Sequence, residues 1–174
     1  MAAGLVVPVS GPYLGLFGGN ALGTQDDNGY ELACTIQGQE INRSDVYGET
    51  LVEGIYRGQN WKCRFRGLEW NKVGLLNSFQ VFGQQGGSGS FSPVLQNVGD
   101  RMSRYAQTML LTAILGNPPS TPQTVTALTA IISPNSQAAF MMTSKMREMP
   151  IEFSLLPYST VISSTTFNVP FTTT

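Results

Sequence analysis

Side chains able to carry out acid–base, nucleophilic or metal chemistry are few in this chain, and their spacing matches no catalytic signature. Histidine is absent from all 174 residues, which removes the commonest general base and metal ligand at neutral pH. Neither a Ser-His-Asp triad nor a Cys-His pair can be assembled. The two cysteines, Cys34 and Cys63, stand 29 positions apart and cannot supply the four ligands of a structural zinc site. Each lies in a strand-like alternation. They read as small buried apolar side chains in a reducing compartment, with a disulfide across facing strands as the alternative. Asp26, Asp27, Asn28 and Glu31 offer oxygen ligands but lack the spacing of a calcium loop. The glycine-rich stretches 15–23 and 83–89 contain no Gly-Lys-Ser/Thr and no dinucleotide fingerprint. A hydrolytic carboxylate pair can be drawn from any two of the clustered acids, so that signal has no specificity. The expectation is a protein that is not an enzyme and takes no cofactor or metal.

The elements that would position these residues are mainly strands. Tyr13 to Phe17 reads as a short strand ending in a Gly18-Gly19 turn. Asp26-Asp27-Asn28-Gly29 is a second turn, followed by period-two alternation over Tyr30 to Ile41. Thr50–Tyr56 and Asn60–Trp70 read as a hairpin closed by Arg57-Gly58-Gln59, with a bulge at Gly67. The second member sets Trp61, Cys63 and Phe65 against a basic stripe of Lys62, Arg64 and Arg66. Asn71 to Phe82 changes to helical spacing through Val73, Leu76 and Phe79, with Asn71 as cap. Residues 83–93 read as a flexible loop. Tyr105–Leu115, Thr124–Ile132 and Pro150–Leu156 read as strands, whereas 136–144 fits either type. No internal repeat is visible. One domain over 1–174 is expected, long enough to bury roughly 70% of its unfolded-chain surface.

Only 12% of residues are charged, about half the roughly 25% of ordinary soluble domains. With 10 basic and 11 acidic residues, the formal net charge of −1 excludes a whole-surface basic field for nucleic acid. The charges are nonetheless segregated. Positions 24–53 hold seven acids (Asp26, Asp27, Glu31, Glu40, Asp45, Glu49, Glu53) and one base, Arg43. Positions 54–72 hold five bases (Arg57, Lys62, Arg64, Arg66, Lys72) and one acid, Glu69. Two readings follow. In the first, neighbouring strands pair these charges within one sheet, at ~0.2–1 kcal/mol per exposed pair. Alternatively, an acidic edge of one subunit meets a basic edge of the next, a head-to-tail contact that closes rings or grows stacks. A phosphate-binding stripe is a third possibility, opposed by Trp61 and Phe65, which alternate onto the other side, toward a core.

Elsewhere the polar cover is neutral, drawn from 15 Ser, 16 Thr and 19 Gly. Free monomers guard sheet edges and solubility with Lys and Glu, while interface cores are depleted in them. Residues 1–12 and 159–174 are uncharged and lack periodic pattern. They read as an N-terminal and a C-terminal arm that gain order only against a partner surface. Residues 1–9 resemble neither a signal peptide nor an anchor. No stretch reaches the ~18 consecutive apolar residues that would span a bilayer, so no membrane role is expected.

Asp45-Val46-Tyr47-Gly48-Glu49-Thr50 runs into Val52-Glu53-Gly54-Ile55-Tyr56-Arg57-Gly58, and Arg147-Glu148-Met149-Pro150 runs into Leu155-Leu156-Pro157-Tyr158. In these segments the chain resembles virion proteins of tailed bacteriophages, and most of all tail tube proteins. The resemblance implies a mainly β fold: a β-sandwich or partial barrel with one short flanking α-helix, long loops and extended terminal arms. It implies self-association into stacked rings, hexameric in that family, forming a conduit for DNA. Other tail or head-tail connector proteins are the implied partners, and DNA passes without specific binding. The implied location is the virion, assembled in the host bacterial cytoplasm. On this reading Glu31, Glu40, Glu49 and Glu53 line a lumen that repels phosphates, and Arg57, Lys62, Arg64 and Arg66 contact the adjacent subunit. The alternative role is a capsid decoration or cement protein, or a head-tail connector.

Overall fold

Alternating apolar and polar side chains put one face of a strand into a core and the other outside, and this pattern dominates the molecule. The computed structural model describes residues 4–8, 13–25, 28–43, 50–69, 72–81, 83–85, 91–93, 95, 97–113, 124–134, 149–162 and 164–173. In chain order these form β1 (Gly4–Pro8), β2 (Tyr13–Phe17), β3 (Asn20–Ala21), β4 (Glu31–Arg43) and β5 (Thr50–Gly67). A helix, α1 (Val73–Ser78), then precedes β6 (Gly83–Gln85), β7 (Phe91–Pro93), a 3₁₀ turn (Met102–Tyr105) and β8 (Gln107–Ala113). The remainder comprises β9 (Thr124–Ile132), β10 (Met149–Leu155), β11 (Tyr158–Ile162), β12 (Thr165–Val169) and β13 (Thr172–Thr173).

One antiparallel sheet of nine strands runs β1-β4-β5-β10-β9-β8-β2-β3, with β13 also paired to β9. It is rolled about its inner face. Tyr13 and Phe17 from β2, Leu32 from β4, Cys63 and Phe65 from β5, Met109 and Leu111 from β8, and Ile151 and Phe153 from β10 share one buried cluster. Phe153 lies at its centre, with ring centroids 5.2 Å from Phe17 and 6.0 Å from Phe65. Gln25 bridges to Gly67 at the end of β5, and the Leu68 amide donates to the Thr24 carbonyl at 2.9 Å. The segment after β3 is thereby tied to a strand five places away in the sheet. Among the described residues the end strands β1 and β3 do not pair with each other, so this is a rolled open sheet, mainly β, and not a closed barrel.

Local chemistry explains the tight points. The β2–β3 turn places Gly18 and Gly19 at φ 56° and 77°, the left-handed pair that a two-residue hairpin loop requires, as the sequence predicts. α1 crosses β3 so closely that a Cβ on Gly74 would lie 2.3 Å from the Asn20 carbonyl oxygen. Its buried face is Gly74, Leu75, Leu76 and Ser78, continuing to Phe79. The helix is therefore shorter than the expected 71–82 span, and Val73, predicted on its inner face, is exposed. Lys72 caps it with no side-chain bond, and Asn71, the expected cap, lies outside the described residues.

Other expectations are corrected. Arg57-Gly58-Gln59 is not a hairpin loop: β5 runs unbroken through it. The true hairpin joins β4 to β5, and register shifts between Gln37 and Gly38 and between Ile41 and Asn42 accommodate two extra residues of β5. Arg57 is the first of these, a bulge in mid-strand. Gly67 forms no bulge; it closes the β5–β10 ladder opposite Met149. The 83–93 stretch carries the small β6–β7 pair. The C-terminal stretch is not an extended arm, because β11 and β12 form a hairpin and β13 returns to the edge of β9. Within the N-terminal stretch, Gly4–Pro8 pairs along β4. In both cases vacant ladder positions supply the backbone partners that an isolated arm lacks. The strands expected at Tyr13–Phe17 and Thr124–Ile132 have the predicted bounds, and 136–144 lies outside the described residues.

Candidate self-assembly surface

The β4–β5 hairpin outgrows the sheet that carries it. β1 pairs β4 only over Glu31–Thr35, and β10 pairs β5 only over Trp61–Gly67. Beyond the Thr35–Asn60 pair, neither strand has another neighbour among the described residues. What remains, Ile36–Arg43 against Thr50–Gln59, is a two-stranded ribbon about 27 Å long at the usual rise per residue. Such a ribbon is marginal in water by itself. It also carries exposed apolar side chains: Ile36 is 40%, Ile55 48% and Tyr56 62% exposed. The Arg57 guanidinium donates to the Gln39 side-chain oxygen across it.

The four acids expected to line a lumen fall in two places. Glu31 is not on the ribbon: it opens β4 in the body of the sheet, opposite Pro8 of β1 and Arg64 of β5 in register. Glu40 and Glu53 occupy backbone positions in the outer half of the ribbon, paired to Gly54 and Ile41; their side chains, and Glu49 entirely, lie outside the described residues.

The basic stripe is largely answered within the chain. On β10, Glu152 stands opposite Arg64. Its carboxylate accepts from Lys62 Nζ and from Arg64 Nε, both at 2.6 Å. Burial would raise the Glu152 pKa, but hydrogen bonds from Lys62, Arg64 and Ser133 outweigh it and hold the group at about 2. The Ser133 amide donates to the Glu152 carbonyl at 2.7 Å, and the Ser133 and Ser154 hydroxyls are 2.8 Å apart. Two of the four residues expected at a subunit contact, Lys62 and Arg64, thus take part in an intrachain network. Charges are paired across the sheet here, though by an acid outside the 24–53 cluster. The sequence signal for Glu152 was its position as the lone charge in the strand Met149–Leu155. Arg66 also has an interaction of its own.

Little in the core is reactive. Cys34 and Cys63 are free and buried. Burial pushes the Cys63 thiol up to about 12, and the nearby Glu31 charge adds to this, so its thiolate is suppressed. The Tyr30 hydroxyl and Trp61 Nε1 are buried without a hydrogen-bond partner among the described residues. Burial, then the proximity of Cys63, raises the Tyr30 pKa. Trp61 meets the edge of Phe171 at 4.9 Å, which fastens the last strand. Among the described residues no three His, Cys, Asp or Glu side chains gather as a metal site, and no helix is long and apolar enough to cross a membrane. The chain matches no family model and no curated protein sequence.

Proposed function

We propose that this chain is a structural virion protein that assembles with its own copies into stacked rings, forming a tail tube through which DNA passes. The observation that carries this reading is the bare β4–β5 ribbon. A two-stranded ribbon with exposed Ile36, Ile55 and Tyr56 gains little from its own fold. Burying those side chains against another copy is favourable by ~25 cal/mol per Å² of apolar surface covered. The scarcity of charge, at 12% of residues, is the composition of a surface meant to be covered. Because Lys62 and Arg64 hold Glu152, the subunit contact in this proposal rests on the ribbon and Arg57 rather than on the whole basic stripe. Glu40 and Glu53 of its outer half, together with Glu49 from the residues outside the described ones, supply the phosphate-repelling charge of the conduit in this proposal.

Negative-stain microscopy of the purified protein tests the proposal. Rings or hollow filaments formed by the protein alone support it. A particle that remains a monomer at high concentration and binds only when capsids are added supports a decoration role instead. Glu49→Lys with Glu53→Lys should leave tubes intact and impede DNA passage; failure of this variant to assemble would place those acids at a subunit interface.

A further inference from the structure

The outward side of the β2–β8–β9 part of the sheet has an unusual composition for a face in water. A solvated antiparallel face normally shows polar and charged residues, yet these three strands contain no charged residue: Tyr-Leu-Gly-Leu-Phe, Gln-Thr-Met-Leu-Leu-Thr-Ala and Thr-Val-Thr-Ala-Leu-Thr-Ala-Ile-Ile. Away from the core they present Leu14, Leu16, Leu110 and Leu128, interleaved with Thr112 and Thr126. The registers align these residues into rows: Leu14 opposite Thr112, and Leu16 opposite Leu110, which in turn faces Thr126. Leu14 is 45% and Leu128 46% exposed.

The same chain carries an apolar projection of matching character. Leu95 and Val98 are 84% and 81% exposed, the highest values among its large apolar side chains that are described. They sit on a braced turn. The Val98 amide donates to the Leu95 carbonyl at 3.1 Å and the Asp100 amide to the Asn97 carbonyl at 3.0 Å. Asn97 Nδ2 donates to the carbonyls of Gln80 and Val81, at 3.1 and 3.2 Å, anchoring the turn just beyond α1. Ordering entropy has therefore already been spent in folding, which favours use of the turn as a contact.

We infer that the Leu95/Val98 turn of one copy docks on the uncharged Leu/Thr face of β2–β8–β9 of a second copy. Charge matching selects this occupant: residues 95–99 carry no charge and the adjoining Asp100 is already paired with Arg104 at 3.2 Å, so the projection meets a face with no charge to desolvate, whereas a charged partner would lose hydration there without compensation. Projection and face are different surfaces of one chain, so the contact is heterologous and propagates into rings or filaments. Three strands of about seven residues cover roughly 300 Å² in projection, well short of the ~800 Å² per partner of a stable pair. The contact thus works together with the ribbon. This inference rests on the self-assembly reading and specifies which surfaces meet.

Cysteine cross-linking tests it, because the native Cys34 and Cys63 are buried and the chosen sites are exposed. A variant with both Leu14→Cys and Leu95→Cys, treated with a bismaleimide that spans the patch, should give a ladder of dimers, trimers and larger products. Each single variant should lose the ladder, and the two single variants mixed should give dimers only. Dimers from Leu95→Cys alone would mean that projection meets projection and would overturn the inference. Absence of a ladder from material that still forms rings or filaments would overturn this contact and leave self-assembly standing. Absence of both a ladder and assemblies would overturn both.

Discussion

Replacing Glu152 by Gln separates two roles for the basic stripe of β5. In the fold, this carboxylate accepts from both Lys62 and Arg64 at 2.6 Å, and Ser133 adds a third donor. Burial opposes its ionisation, yet the three donors bring it from an ordinary 4.5 to about 2. That shift corresponds to about 3 kcal/mol of linkage. Arg64 is half exposed, with 49% of its side chain in solvent, and screening reduces the figure to about 1–2 kcal/mol. The sign follows from the depressed value: the stabilisation is complete above the unfolded-state pKa near 4.5 and is lost as pH falls from there toward 2. Glu152→Gln should therefore lower the urea midpoint at pH 7 by an amount equivalent to about 1–2 kcal/mol. The gap to wild type should close progressively between pH 4.5 and 2. Measurements belong at dilutions where sedimentation shows monomers, because assembly would add its own concentration-dependent stability. Equal stability of variant and wild type at pH 7, or a gap that persists unchanged at pH 2, would refute the reasoning. Lys62 and Arg64 would then be free to contact another subunit, as the sequence alone suggested.

Further predictions concern the core, the last strand and the ribbon. A Cβ on Gly15 would lie 2.0 Å from the Tyr30 hydroxyl oxygen and 2.6 Å from Cζ, so Gly15→Ala should cost about 1–3 kcal/mol. Tyr30→Phe, which removes a buried hydroxyl lacking a partner among the described residues, should leave the wild-type Tm unchanged or higher and recover part of the Gly15→Ala loss. Strictly additive effects in that double-mutant cycle would contradict the packing described. In a Trp70→Phe background, Phe171→Ala should shift Trp61 emission to the red and cost about 1–2 kcal/mol as the edge contact is lost; an unmoved spectrum would mean the last strand is held otherwise. Tyr56→Asp, on a side chain 62% exposed, should leave monomer stability within about 0.5 kcal/mol while abolishing filaments seen by electron microscopy. Unimpaired filaments would remove Tyr56 from the interface.

Much of this protein is local in origin, and local features are legible in sequence. Alternation over Tyr30–Ile41 set a strand because side-chain direction in an extended chain depends only on parity, and the Thr-rich, β-branched run Thr124–Ile132 set another because such side chains fit a pleated surface. Gly18-Gly19 specified its turn because only glycine adopts two successive left-handed conformations without strain. The absence of His and the segregation of charge are likewise properties of composition and order. Pairing is different. Whether Arg57-Gly58-Gln59 turns or continues depends on what lies beside it, and β4 supplies a partner long enough to carry β5 straight through with a bulge. The C-terminal residues became β12 and β13 because β11 paired with the first and an open stretch of β9 accepted the backbone groups of the second, which polar composition alone does not reveal. Glu152 answers Lys62 and Arg64 from 90 and 88 residues away. Coulomb attraction acts over distance in space and is indifferent to separation along the chain, so only the folded sheet could decide which acid those bases would meet.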